Sequence, residues 1–125
     1  SASGMGLATA TWLRAAGHEV IGLDVRDAEV VADLSMHQER EDALSEISAL
    51  CRGRLDGVAL FAGLVGLTGR PSHLLASVNY FGSVELLEGL RPMLAAAGSS
   101  FALVVCSNWI PSRLTLLSAV NPPAR

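Results

Sequence analysis

Two cysteines, three histidines and no lysine stand in this chain of 125 residues. Cys51 and Cys106 are too few and too far apart for a disulfide framework or a zinc site, so both are expected as reduced thiols. His18, His37 and His73 lack partners at metal-ligand spacing. They are read as surface or helix-capping residues, and no metal is expected. A net charge of -3 and a pI near 5.5 give no basic footprint for nucleic acid or an anionic membrane surface. No apolar run approaches the roughly 20 residues that cross a bilayer, since Arg14, His18 and Asp24 interrupt the most hydrophobic opening stretch. The first residues also lack the charged lead and apolar core of a secretory signal. Nucleic-acid and membrane partners are therefore not expected, and the expected location is cytoplasmic. With 50% of its residues apolar, the chain has enough for a single core, in one domain or part of one.

What is present is an alternation of two periodicities. Leu7, Ala8, Ala10, Leu13 and Ala16 recur at helical spacing over 4–16, and Gly17 is placed to cap that helix. Residues 19–24 are short, β-branched and nearly all apolar, the pattern of a strand buried on both faces of a parallel sheet. A second short run, 29–33, also ends in a carboxylate. Ser35 is placed to N-cap a helix over 36–50, with Ala43, Leu44, Ile47 and Leu50 as its buried stripe and Gly53 at its close. Residues 56–63 read as a buried strand entering a glycine-bearing turn that a ligand could approach closely. Beyond Pro71, the spacing from Leu74 through Val78, Phe81 and Leu87 to Met93 predicts one long helix despite Gly82, ended by Gly98. Residues 101–106 form the last clear strand. Strands alternating with helices of these lengths imply right-handed crossovers and a parallel sheet. The stretch 109–125 has three prolines and no periodicity, and reads as loop or tail.

Ser1-Ala2-Ser3-Gly4-Met5-Gly6, set directly before a helix, has the form of a phosphate-binding turn. Glycines let the backbone approach a pyrophosphate, and the helix start offers free N–H groups and a positive dipole end. Asp24, at the tip of the next strand, is placed to accept hydrogen bonds from an adenosine ribose. With the Asp33-Leu34 pair, the Ala62-Gly63 turn and Ser77-Val78-Asn79-Tyr80-Phe81-Gly82 in this order, residues 1–108 resemble the short-chain dehydrogenase/reductase family. The run from Gly22-Leu23-Asp24 to Val30 makes the nearest subgroup the bacterial 3α-hydroxysteroid dehydrogenase/carbonyl reductases.

This resemblance implies an α/β fold with a Rossmann-type doubly wound parallel sheet, partial because the first strand and the C-terminal half are missing. Residues 1–108 would be an NAD-binding segment and 109–125 a divergent tail. Ser3, Gly4, Met5 and Gly6 would follow the cofactor's diphosphate and adenosine ribose. Asp24 would hold the ribose hydroxyls and repel a 2′-phosphate, which favours NAD over NADP. Arg26 either softens that preference or is a solvated surface residue. Asp33 and Leu34 would lie beside adenine, the Asp33 carboxylate accepting from its exocyclic amine or else serving only the turn. Ala62 and Gly63 would border the adenosine ribose. Asn79 takes the place of the family's catalytic asparagine, which shapes a helix distortion and holds a water in the proton relay. Ser107 either polarises the substrate carbonyl or merely ends its strand.

The sequence also departs from the family pattern. Leu60 and Phe61 replace two asparagines that brace the central sheet. The family's chemistry needs a tyrosine tuned by a nearby lysine in a Tyr-x-x-x-Lys motif. Tyr80 is the sole tyrosine, its neighbours match the asparagine helix instead, and arginine does not replace the lysine. From Trp109 the match stops. The expectation is a piece of a longer dehydrogenase, marginally stable because its sheet lacks a central strand. It would be the NAD-binding part of an oxidoreductase that interconverts secondary alcohols and ketones, with a steroid-like or other apolar carbonyl compound as its small-molecule substrate. Alone it would be inactive, and the full-length protein would be a homo-oligomer. Val84, Leu87 and Leu90 belong either to its interface or to the core. The alternative is a non-catalytic nucleotide-binding or interaction module derived from the same scaffold.

Overall fold

Both long helices that flank the first strands end on the same hydrogen-bonded device. The computed structural model describes residues 2–65 and 69–105. Helix α1 (Gly4–Ala15) stops where Gly17 turns to φ 89°, its N–H donating to the Arg14 carbonyl and that of His18 to the Leu13 carbonyl. This pair of bonds satisfies carbonyls that a helix end otherwise leaves open. Helix α2 (His37–Leu50) ends the same way, but there Arg52 takes the left-handed position at φ 53° and the Gly53 N–H reaches the Ser48 carbonyl. The start of α2 corrects the sequence expectation. Met36, not Ser35, is the N-cap, and no side chain caps it. Asp33 lies two residues upstream of Ser35 and accepts its N–H at 2.9 Å, drawing Ser35 into a turn.

Strand β1 (Leu23–Asp24) pairs in parallel with β2 (Val30–Val31), and β3 (Gly57–Leu60) pairs in parallel with β4 (Phe101–Val104). The α/β, Rossmann-type reading holds, with short parallel strands; β3 and β4 are joined through helices, whereas β1 and β2 are joined by the helix-free segment 25–29. Among the described residues these strands form two separate two-stranded ladders. The run 19–24 is consequently a strand only at its last two residues: among the described residues 19–21 have no strand opposite them, and Gly22 keeps a single ladder bond, its carbonyl accepting the Val30 N–H. Side chains meet that backbone instead: Arg14 Nη2 donates to the Val20 carbonyl at 3.0 Å, and Glu29 Oε2 accepts the Gly22 N–H at 2.8 Å.

The single long helix expected beyond Pro71 is continuous but changes its winding. Helix α3 (Ser72–Ala76) passes into a π-helix (Ser77–Gly82) and then into α4 (Ser83–Ala96). Wider winding shifts the phase of the apolar stripe, so Phe81 is exposed rather than buried, beside an exposed Tyr80. The core lies between β2, α2 and α4. Val30, Ala32, Ala43, Ile47, Leu90 and Met93 close it, so Leu90 is core rather than interface, whereas Leu50 lies outside it, exposed. Val84 and Leu87 are half-buried. By contrast, α1 buries only Gly6 and Ala10, and all four residues of β4 are exposed.

Candidate functional site

The start of α1 presents unused donors. Ser3 is the N-cap with an extended backbone and no side-chain capping bond, and the first N–H used is that of Leu7, which donates to the Ser3 carbonyl. Among the described residues the N–H groups of Gly4, Met5 and Gly6 therefore have no partner, as in the first turn of any helix. Gly4 has φ 57°, a conformation side chains disfavour, and among the described residues nothing beyond its chain neighbours and its own helix backbone lies within 4 Å of where its Cβ would stand.

Asp24 closes onto this turn. Its Oδ2 accepts the Ala2 N–H and its Oδ1 the Val25 N–H, both at 2.8 Å. Each oxygen retains a lone pair for a further donor. Behind it, Glu29 joins two elements: Oε2 takes the Gly22 N–H and Oε1 meets Arg14 Nη2 at 2.6 Å. The Gly22 N–H, then Glu29's own backbone N–H and the Arg14 guanidinium, hold the Glu29 carboxyl below its ordinary range against the opposing effect of desolvation.

The Asp33-Leu34 turn sits at the end of β2. Asp33 is exposed; its N–H donates to Glu39 Oε2 at 2.6 Å and its Oδ1 accepts from Ser35. Its Oδ2 has no partner among the described residues. Leu34 is buried against Gly82, where a Cβ would stand 3.2 Å from that of Leu34. Asn79, inside the π-helix, pairs with the turn after β3 as a strand residue would. The Leu64 N–H donates to its Oδ1 at 2.7 Å, and its Nδ2 donates to the Leu64 carbonyl at 2.9 Å. The helix is thus distorted at Asn79, and both ends of the carboxamide are used in holding Leu64, directly after Ala62 and Gly63.

One cleft of about 1610 Å³ collects these parts. Ser3, Gly4, Met5 and Gly6 line it, as do Asp24, Asp33, Leu34, Ala62 and Gly63. Its volume exceeds the roughly 300–1,000 Å³ of ordinary ligand sites, because it continues between the two ladders past Ile21 and Leu23 on one side and Gly57 and Ala59 on the other. Asn79 reaches this cleft only through Leu64. Tyr80 does not line it and packs edge-on against Phe81, ring centroids 5.2 Å apart. Ser107 lies outside the described residues, as does the 109–125 stretch. Among the described residues no three His, Cys, Asp or Glu side chains gather as a metal site, and no helix is long and apolar enough to cross a membrane.

The sequence reading missed Glu29, Arg40 and Glu85. Arg40 is buried and binds Glu85 on α4. His37, exposed as expected, also meets Glu85, with Nδ1 3.0 Å from Oε2. Each is a charged residue whose partner lies far along the chain, and no local pattern marks such pairs.

No family model matches the chain. It is 42% identical over 106 residues to the 3-alpha-hydroxysteroid dehydrogenase/carbonyl reductase of Comamonas testosteroni, covering 85% of this chain and 41% of that protein. The 3-alpha-hydroxysteroid dehydrogenase of Pseudomonas sp. B-0831, solved in complex with NADH, superposes with a TM-score of 0.79 at 43% identity, over 83% of this chain and 41% of that one. Over these spans the chain is similar to dehydrogenases of the short-chain dehydrogenase/reductase type. A short-chain dehydrogenase/reductase from Brucella ovis, 26% identical, matches with a TM-score of 0.68 over 81% of this chain and 56% of its own. The chain spans about two fifths of the length of the curated hydroxysteroid dehydrogenase that it matches.

Proposed function

We propose that this chain forms the NAD-binding part of an oxidoreductase that interconverts secondary alcohols and ketones. One observation carries the reading: the open N–H groups at the start of α1 and the carboxylate of Asp24 border the same cleft at the end of β1. Open N–H groups at a positive helix end suit a diphosphate, and a carboxylate with spare lone pairs suits ribose hydroxyls. The residues present therefore fit a dinucleotide. Asp24 disfavours the 2′-phosphate of NADP by charge.

NAD, when bound, supplies the site that accepts or gives the hydride. The residues of this chain bind and orient. Ser3, Gly4, Met5 and Gly6 hold the diphosphate side, Asp24 the ribose, Asp33 and Leu34 the adenine side, and Ala62 and Gly63 let the backbone come close to the adenosine ribose. Asn79 holds the Leu64 turn against the π-helix and so fixes the wall on the reacting side. Ser107 is assigned to the substrate carbonyl. The relatives' names support an apolar, steroid-like carbonyl substrate. The binding segment is taken as 1–108 and the tail as 109–125. The same reading makes the intact protein a cytoplasmic homo-oligomer, with Val84 and Leu87 at its interface.

A second reading, a non-catalytic nucleotide-binding module, is favoured by the absence of lysine from the chain and by the position of Tyr80 outside the cleft wall. Titration of the intact protein with NADH and NADPH, followed by assay with a steroid alcohol and NAD, separates the two. NADH binding at least about tenfold tighter than NADPH, with turnover, is expected. Binding without turnover would favour the second reading, and absence of NADH binding would overturn both.

A further inference from the structure

Arg40 is an arginine only 5% exposed, on a helix whose other charged side chains face solvent. Three of its nitrogens are used, and on two different elements. Nε and Nη2 donate to Glu85 Oε2 and Oε1, at 2.6 and 3.1 Å, and Nη1 donates to the Leu34 carbonyl at 2.7 Å. The planar guanidinium fork thus ties α2 to α4 and to the Asp33-Leu34 turn together. A buried ion pair is weak evidence for stability, since apolar residues of the same size often serve as well. What apolar side chains would not do is hold a backbone carbonyl in place.

The turn so held is narrowly defined. Leu34 rests on Gly82, the last residue of the π-helix that carries Asn79. Asp33 is fixed at its N–H by Glu39 and at Oδ1 by Ser35, which leaves its exposed Oδ2 aimed by the turn as a whole. We infer that Arg40 is a positioning residue for the adenine end of the dinucleotide site, setting the Asp33 carboxylate where it reads the exocyclic amine of the base. This rests on the NAD reading above. Arg40 touches no part of the cofactor itself; it acts through the Leu34 carbonyl.

The test uses the intact protein and two cofactors, NAD and nicotinamide hypoxanthine dinucleotide, in which a carbonyl replaces the adenine amine. Wild-type protein should bind NAD more tightly, and Asp33→Asn should remove the preference. Arg40→Lys keeps a positive charge opposite Glu85 but not the fork; it should cut the affinity ratio at least about fivefold while changing hypoxanthine-dinucleotide affinity less than about twofold. Glu85→Gln, which frees the fork on the α4 side, should lower the ratio in the same direction and serves if Arg40→Lys does not fold. Equal weakening of both cofactors, or an unchanged ratio, would overturn the inference and leave Arg40 a structural residue. Wild-type binding of neither cofactor would overturn the NAD reading. Equal wild-type binding of both would instead remove the adenine role of Asp33, and with it that of Arg40.

Discussion

Helix α1 with its glycine turn and the β2–α2–α4 unit are held by different forces. The first buries only Gly6 and Ala10, leaves Met5, Leu7 and Trp12 exposed, and is tied down by polar contacts: Ala2 to Asp24, and Arg14 to Glu29 and the Val20 carbonyl. The second closes Val30, Ala32, Ala43, Ile47, Leu90 and Met93 into one apolar core. Burial of that kind scales with area and sets global stability, whereas exposed polar ties contribute little and open locally. The part proposed to bind the ligand is thus the part with the least to hold it, and the ligand itself is expected to complete it.

The largest expected effect is in the core. Leu90→Ala should cost about 2–5 kcal/mol in denaturant unfolding; a loss below about 1 kcal/mol would mean that the core does not set stability. NAD at a hundred times its dissociation constant should add about 2.7 kcal/mol. Hydrogen exchange should place the gain in protection mainly in residues 2–25; an equal gain across α2 would erase the difference between the regions. Arg14→Met should cost about 0.2–1 kcal/mol, confined to α1, as read by local exchange with an unchanged denaturant slope.

Acid should act on both regions, each through its own glutamate. Glu29 is held below its ordinary range chiefly by the Gly22 N–H, and Glu85 by the Arg40 hydrogen bonds and then those of His37. Because the folded values are depressed, the unfolded chain binds more protons at acid pH. The stabilisation is full above the ordinary glutamate value of about 4.3 and is lost as pH falls through the folded values. Unfolding midpoints followed into acid should show this, with Glu29→Gln flattening the loss at α1 and Glu85→Gln flattening it at α2–α4. The smallest effect belongs to Trp12→Gln, within about 0.5 kcal/mol by the same unfolding assay; a larger loss would show that α1 is packed after all.

Much of the site was legible because its signals are local. A glycine turn before a helix, and a carboxylate closing an apolar run, are visible within a few residues, and Ser3 to Gly6, Asp24, Asp33, Leu34, Ala62 and Gly63 do open on one cleft. The errors came where a residue's role depends on something distant. Leu50 fits the helical stripe of α2 yet is exposed, and Phe81 fits the stripe beyond Pro71 until the π-helix rotates it outward. Ser35 has the right chemistry for an N-cap, but the turn closed by Asp33 leaves it one residue short of the helix start, where Met36 is the N-cap.

By itself the sequence determined the alternation of strand and helix and the helix-ending glycines, because backbone preference and hydrophobic period act over one or two turns. Only the tertiary structure decided that strands join as two parallel ladders, that Asn79 pairs with Leu64, and that Arg40 is buried on Glu85, 45 residues away. A charged side chain leaves water only when its partner and a carbonyl are already in place, and that is a property of the assembled fold.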